Sequence, residues 1–101
     1  MSAGARPEAA ARLSADALRE RLAQAFPAAR IEVRDDSHLH AGHAGAAGGA
    51  GHFFARLIDP RFGGLSTVLR HRLVYDAVRD WMPQRIHALT IEARTPDELR
   101  G

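Results

Sequence analysis

Six histidines give this chain of 101 residues a rich supply of transition-metal ligands. Their positions are His38, His40, His43, His52, His71 and His87. Imidazole nitrogens are the only good ligands for such metals in this sequence, because cysteine is absent and carboxylates suit harder ions. The first three lie in one short segment, and alternate residues of an extended segment point to the same side, so His38 and His40 can face one ion together. Two interpretations of this segment stay open, a metal site and a solvated loop without a role.

The other three histidines lie in predicted helices and strands. His71 falls at the border of the apolar face of a helix, which fits either a boundary residue or a ligand held on a rigid element. His52 shares its side of a strand with Phe54, and His87 shares its side of another strand with Leu89. We therefore assign His52 and His87 structural roles.

The sequence has no pattern typical of an enzyme. Without cysteine it has no disulfides and no thiolate nucleophile. No Ser-His-Asp arrangement can be read from the residue order, and there is neither an HExxH motif nor a glycine-rich phosphate loop followed by lysine.

Composition predicts one small globular domain, with 46% hydrophobic and 26% charged residues. The formal net charge is only +2 although the pI is near 10.4. This high pI arises because arginine replaces lysine throughout, so little titrates between the histidines and the arginines. No apolar run approaches the ~18 residues of a membrane span, and we expect a cytoplasmic protein without membrane contact.

The chain begins with a predicted tail and a helix. Residues 1–13 lack periodicity and are expected to form a flexible tail, so the single domain is expected to span 14–101. Ser14 has the side chain of an N-cap, and the helix that follows it ends before Pro27. Apolar residues recur every fourth position along one face of this helix: Leu18, Leu22 and Phe26.

Two strands follow, separated by a long loop. Strict alternation of apolar and polar residues predicts a strand over 30–34, and a second strand is expected over 53–58 with Phe53, Ala55 and Leu57 on one face. The loop between them, 35–51, consists mostly of Gly, Ala and His. A loop of this length in a small domain is typically functional or disordered, and its flanking strands should pair antiparallel.

The second half predicts a helix, a strand and a short helix. Ser66 can cap a helix over 67–82 that Pro83 stops. A third strand is expected over 87–94, and 95–98 has the cap, proline and glutamate of a helix start. A right-handed strand–helix–strand crossover then makes the second and third strands parallel. The predicted fold is α+β, with a small three-stranded mixed sheet covered by helices on one face.

Six stretches of the sequence together resemble the BolA family: 36–43, 52–53, 61–66, 70–75, 87–89 and 95–96. The most specific are Arg-His-Arg-Leu-Val-Tyr, which contains His71, and Ile-His-Ala-Leu, which contains His87. The resemblance covers about Ala17 to Leu99. It implies a class II KH-like fold, α-β-β-α-β-α, in agreement with the element order derived from the residues.

The resemblance also implies a non-enzymatic adaptor. BolA-like proteins pair with monothiol glutaredoxins, and the heterodimer shares a bridged [2Fe-2S] cluster in iron–sulfur trafficking or iron regulation. The glutaredoxin and a bound glutathione each supply a cysteine. The matching ligands here are His71 from the helix motif and His40 from the loop, with His43 as a substitute. We expect no cofactor bound tightly to the isolated chain, which should be a monomer or a weak homodimer.

Two further interpretations remain. Some BolA-like proteins are described as transcriptional regulators, which implies a DNA site at Arg61, Arg70 and Arg72 near the start of the helix. The turn before that helix departs from the GXXG loop with which KH domains clamp a nucleic-acid backbone, and a solvated arginine cluster is the alternative. The loop histidines alone also fit a site for zinc, nickel or copper.

Overall fold

The computed structural model describes residues 13–37 and 50–100. Its first helix, α1 (Ala15–Ala25), begins after Ser14, whose hydroxyl accepts the N–H of Ala17 at 3.0 Å. The residues predicted to form its apolar face are all buried: Leu18, Leu22 and Phe26. Leu13, which was predicted to belong to the flexible tail, is 4% exposed and packs into the same core. The rest of the predicted tail lies outside the described residues.

Three strands form one mixed sheet in the order β1-β2-β3. β1 (Arg30–Asp35) pairs antiparallel with β2 (Gly51–Ile58), and β2 pairs parallel with β3 (Ile86–Arg94). The predicted pairing directions are confirmed, and each strand is one or two residues longer than the alternation indicated. One face is packed, and the residues that β2 and β3 bury there are Phe53, Ala55, Leu57, Ile86, Leu89, Ile91 and Ala93. α1 lies against β1.

The second helix is shorter than predicted. α2 (Thr67–Ala77) begins after Ser66, whose hydroxyl accepts the N–H of Leu69 at 3.2 Å, and it ends five residues before the predicted end. At Val78 the backbone leaves the helical region, and its N–H bonds to the carbonyl three residues back. A 3₁₀ turn, Arg79–Trp81, follows instead of a further α-helical turn. This turn contacts α1, because Arg21 pairs with Asp80 at 2.8 Å and lies 3.7 Å over the ring of Trp81.

The C-terminal helix closes one end of the sheet. α3 (Pro96–Arg100) begins at the predicted capping box, in which the Thr95 hydroxyl accepts the N–H of Glu98 and the Glu98 carboxylate accepts the N–H of Thr95. The α+β prediction is therefore confirmed in element order and sheet topology.

Candidate metal centre

The candidate centre lies at the start of β3, near the residues that flank the segment 38–49. The N–H of Gly51 donates to the carbonyl of Arg85 at 3.1 Å, and the N–H of Asp36 donates to the carbonyl of His52 at 2.7 Å. The hydroxyl of Ser37 accepts the N–H of His52 at 3.0 Å. The residues that precede the histidine-rich segment are therefore fixed to the start of β2, and those that follow it are fixed to the residue before β3.

A β-bulge exposes His87 at this place. Gly51 pairs with Ile86 and the next residue, His52, pairs with Ala88, so His87 is an extra residue in the ladder. A bulge breaks the alternation of side chains. Ile86 is consequently buried and His87 is exposed on the open face of the sheet.

The prediction that His87 shares a side with Leu89 was therefore wrong. A signal was present in the sequence, because Ile86 is an apolar residue out of phase with the alternation of Leu89 and Ile91. An apolar residue in that position indicates a shift in register at the start of the strand.

His52 and His87 form a pair of imidazoles on adjacent strands. Their ring centroids are 5.0 Å apart and the planes are tilted by 50°. His52 lies on the open face of β2 together with Phe54 and Arg56, as the alternation predicted, and it is half-buried. In the described part of the chain, the ring of His87 makes contact with His52 and has no hydrogen bond.

His71 lies elsewhere. It is half-buried on α2 and lines an open groove of about 530 Å³ along the second half of β3. α2 runs antiparallel to β3, because Tyr75 donates to the carbonyl of Leu89 at 2.9 Å and Arg70 donates to that of Ala93 at 2.9 Å. The groove contains Ile91, which is four residues beyond His87, or roughly 13 Å along a strand. His71 is thus separated from Ser37 and Gly51, the residues that flank the segment 38–49.

The loop ligands, His40 and His43, lie outside the described residues, and their roles stay predictions. His40 follows Ser37 by three residues, and three residues of extended chain span at most roughly 11 Å. Within 13–37 and 50–100, no three His, Asp or Glu side chains form a group that could hold a metal ion. A centre built on His87 therefore requires ligands from outside these residues.

The three arginines of the DNA interpretation are in different states. Arg61 donates to the carbonyl of Ala25 at 3.0 Å, and Arg70 makes two 2.8 Å hydrogen bonds to Glu98. Arg72 is exposed and has no ion pair to any described residue. Two of the three guanidiniums are thus committed to contacts within the fold, which weakens this surface as a phosphate site.

Arg70 and Glu98, which both line the groove, form an ion pair at 2.8 Å. The hydrogen bond from Arg70, together with the backbone N–H of Thr95, lowers the pKa of Glu98 to about 2. The same hydrogen bond raises the pKa of Arg70 above its ordinary value. Arg70 also donates to the carbonyl of Leu65 at 3.0 Å, so it ties α2, β3 and α3 together.

Comparison with known proteins decides the family. A family model described as BolA-like protein matches residues 22–98. The chain belongs to the BolA family. BolA-like protein 1 of Mus musculus is 38% identical to this chain, over 99% of this chain and 71% of that relative. The solution structure of mouse BolA1 matches with a TM-score of 0.69, over 99% of this chain and 74% of that one.

Two further relatives of this BolA family member share the domain. SufE-like protein 1 of Arabidopsis thaliana is 42% identical over 81% of this chain, but the chain spans only 24% of that protein. The structure of the BolA domain of SufE1 is 40% identical, with a TM-score of 0.71 over 83% of this chain and 93% of that one. Yeast Fra2 is 30% identical in its solution structure, with a TM-score of 0.63 over 86% of this chain and 84% of Fra2.

No helix among the described residues is long and apolar enough to cross a membrane. SufE-like protein 1 is named as chloroplastic/mitochondrial, so the cytoplasmic location of this family member stays a prediction.

Proposed function

We propose that this BolA family member is a non-enzymatic adaptor that pairs with a monothiol glutaredoxin and helps to hold a bridged [2Fe-2S] cluster for iron–sulfur trafficking or iron regulation. Membership of the family and the likeness to yeast Fra2 support a BolA-type role. The observation that carries the proposal is the exposed imidazole of His87 at the start of β3, near Ser37 and Gly51, which flank the histidine-rich segment.

In this proposal His87 replaces the helix-side ligand, in the role that the motif predicted for His71. A ligand shared with a second protein has to be exposed and near the loop that supplies the next ligand. His87 meets both requirements, whereas His71 is half-buried and faces the far half of β3. The second nitrogen then comes from His40 or His43, and the glutaredoxin and glutathione supply the two sulfurs.

The side chains of this protein suit such a role. Because the chain lacks cysteine, it can offer a cluster no thiolate, and its imidazole nitrogens are its best ligands. When bound, a cluster with imidazole ligands has a higher reduction potential than one held by thiolates alone. Neutral imidazole is the coordinating form, so acidification toward pH 6 should favour release of the cluster.

Paired histidine variants test the proposal. The chain is mixed anaerobically with a monothiol glutaredoxin, glutathione, iron and sulfide, and visible absorption and circular dichroism are recorded. We expect His87→Ala to lose the heterodimer spectrum and His71→Ala to retain it. His40→Ala and His43→Ala, tested separately, identify the loop ligand by the same loss.

Three other results would change the conclusion. Loss with His71→Ala and retention with His87→Ala would restore the assignment made from the sequence. A spectrum that no histidine variant alters would contradict ligation by this chain. Absence of any heterodimer spectrum with the unmodified chain would contradict the proposed function itself.

A further inference from the structure

Ser37 precedes the histidine-rich segment, and its hydroxyl accepts a backbone N–H of β2 that a carbonyl of β1 would otherwise accept. At the end of the β1–β2 ladder, the carbonyl of His52 accepts the N–H of Asp36 from the backbone. The N–H of His52, in contrast, donates to the hydroxyl of Ser37 at 3.0 Å. The backbone N–H of Ser37 in turn donates to the carboxylate of Asp35 at 2.9 Å, which fixes the turn that presents the hydroxyl.

Gly51 also lies close to the hydroxyl of Ser37, with no room between them for a larger side chain. A Cβ added there would lie 2.5 and 2.8 Å from ring atoms of Phe53 and 3.2 Å from the hydroxyl of Ser37. Phe53 is 2% exposed, so its ring is held by the core. The first residues of β2 therefore fit against Ser37 with little freedom, and the bulge opposite them sets the side of the sheet on which His87 lies.

We propose that Ser37 is a positioning residue for His87 and acts through His52. Its hydroxyl holds the backbone of His52, and the ring of His52 contacts the ring of His87, at 5.0 Å between centroids. This inference rests on the proposed function for the importance of His87, but the positioning itself is a property of the chain alone. In this proposal Ser37 contacts neither iron nor the partner protein. It fixes the orientation of the His87 imidazole.

Measurements on the chain alone form the first test. We expect Ser37→Ala to speed hydrogen exchange of the His52 amide by roughly threefold to tenfold, the effect of losing one hydrogen bond. The ring signals of His87 in NMR spectra should shift at the same time. Ser37→Thr keeps a hydroxyl and should restore both readouts toward those of the unmodified chain.

A matched control separates positioning from general destabilisation. Ser66→Ala removes the same chemistry, a hydroxyl that accepts a backbone N–H, at the start of α2. It should leave the His52 amide and the His87 ring signals unchanged. Asp35→Ala is a second variant, which removes the carboxylate that fixes Ser37 and should move both readouts in the same direction as Ser37→Ala, by a smaller amount.

The glutaredoxin heterodimer supplies the second test. With Ser37→Ala, the visible circular dichroism bands should change shape and cluster loss should be severalfold faster, with rescue by Ser37→Thr. Unchanged His87 ring signals in Ser37→Ala, or equal shifts in Ser66→Ala, would overturn the positioning inference. If the unmodified chain forms no cluster with glutaredoxin, the proposed function fails, while the amide and ring measurements still decide the positioning.

Discussion

The two ends of β3 differ in how they are held. At its C-terminal end, Arg70 reaches the carbonyl of Ala93 and the carboxylate of Glu98, and the N–H of Asp59 donates to the carbonyl of Arg94 at 2.9 Å. At its start, the ladder contains a bulge, and the exposed ring of His87 contacts the ring of His52 and has no hydrogen bond to any residue of 13–37 or 50–100. We refer to these as the closed end and the loop end.

The difference teaches where stability and chemistry lie in this small domain. Charge-assisted hydrogen bonds and a capping box hold the closed end together, and they occupy the donors and acceptors of its side chains. The loop end leaves an imidazole without a hydrogen bond in the described part of the chain, which gives little stability but keeps its nitrogens available. A ligand for a shared metal centre is expected at an end of the second kind.

The closed end should be the most sensitive to loss of core volume. Phe62 is 0% exposed and its ring lies 5.8 Å from that of Phe26. Phe62→Ala should lower the free energy of unfolding by about 3–5 kcal/mol, a large part of the total for a domain of this size. Urea unfolding followed by circular dichroism measures it. Leu99→Ala is the control, since Leu99 is 52% exposed at the same end, and a loss comparable to that of Phe62→Ala would contradict the prediction.

At the loop end, a single added methyl group should disturb both packing and the candidate site. Gly51→Ala places a Cβ against the buried ring of Phe53 and should destabilise by about 1–3 kcal/mol. It should also shift the NMR signals of the His87 ring, because Gly51 is the partner of Ile86 beside the bulge. Gly64→Ala is the comparison, since its φ of 78° makes alanine unfavourable by about 1 kcal/mol. Ring signals that respond equally to both variants would contradict a local effect.

Local signals in the sequence were sufficient for the framework. The serine and threonine caps at Ser14, Ser66 and Thr95 each predicted a helix start that the structure confirms with a hydrogen bond. Alternation of apolar residues predicted three strands and, apart from the side on which His87 lies, their packed face. These features depend on a few neighbouring residues, which is why one sequence is enough to find them.

The features that sequence reasoning missed depend on contacts between distant segments. The end of α2 at Ala77 accompanies contacts of Asp80 and Trp81 with Arg21 on α1, which no helical periodicity reports. The exposure of His87 depends on a register shift against β2. The separation of His71 from Ser37 and Gly51 depends on the antiparallel course of α2 along β3, which the motif around His71 does not report.

Acid should weaken the closed end through Glu98. Its pKa is lowered from 4.5 to about 2 in the folded chain, chiefly by the hydrogen bond from Arg70. A lowered pKa means that the pair stabilises the fold above the ordinary value near 4.5 and that this contribution is lost as the pH falls toward 2. Glu98→Gln keeps an acceptor for the capping box but removes the charge, so its stability should fall less between pH 5 and pH 2.5.

Urea unfolding at the two pH values checks this dependence on Glu98. Glu20→Gln is the matched control, because Glu20 is an exposed carboxylate without an ion pair to any residue in the described ranges. It should follow the acid response of the unmodified chain. An acid response of Glu98→Gln as steep as that of the control would show that the Arg70 pair does not set it.

The smallest expected change in stability concerns the residue most important for the proposed function. His87→Ala removes an exposed ring and should alter the free energy of unfolding by less than about 0.5 kcal/mol, while it removes the heterodimer spectrum. Ile86→Ala, one position earlier, removes a side chain that is 0% exposed and should destabilise by about 2–5 kcal/mol. These two adjacent residues differ because the bulge places Ile86 in the core and His87 on the open face of the sheet. A loss above 1 kcal/mol for His87→Ala would give His87 a structural role and remove the distinction between the two ends.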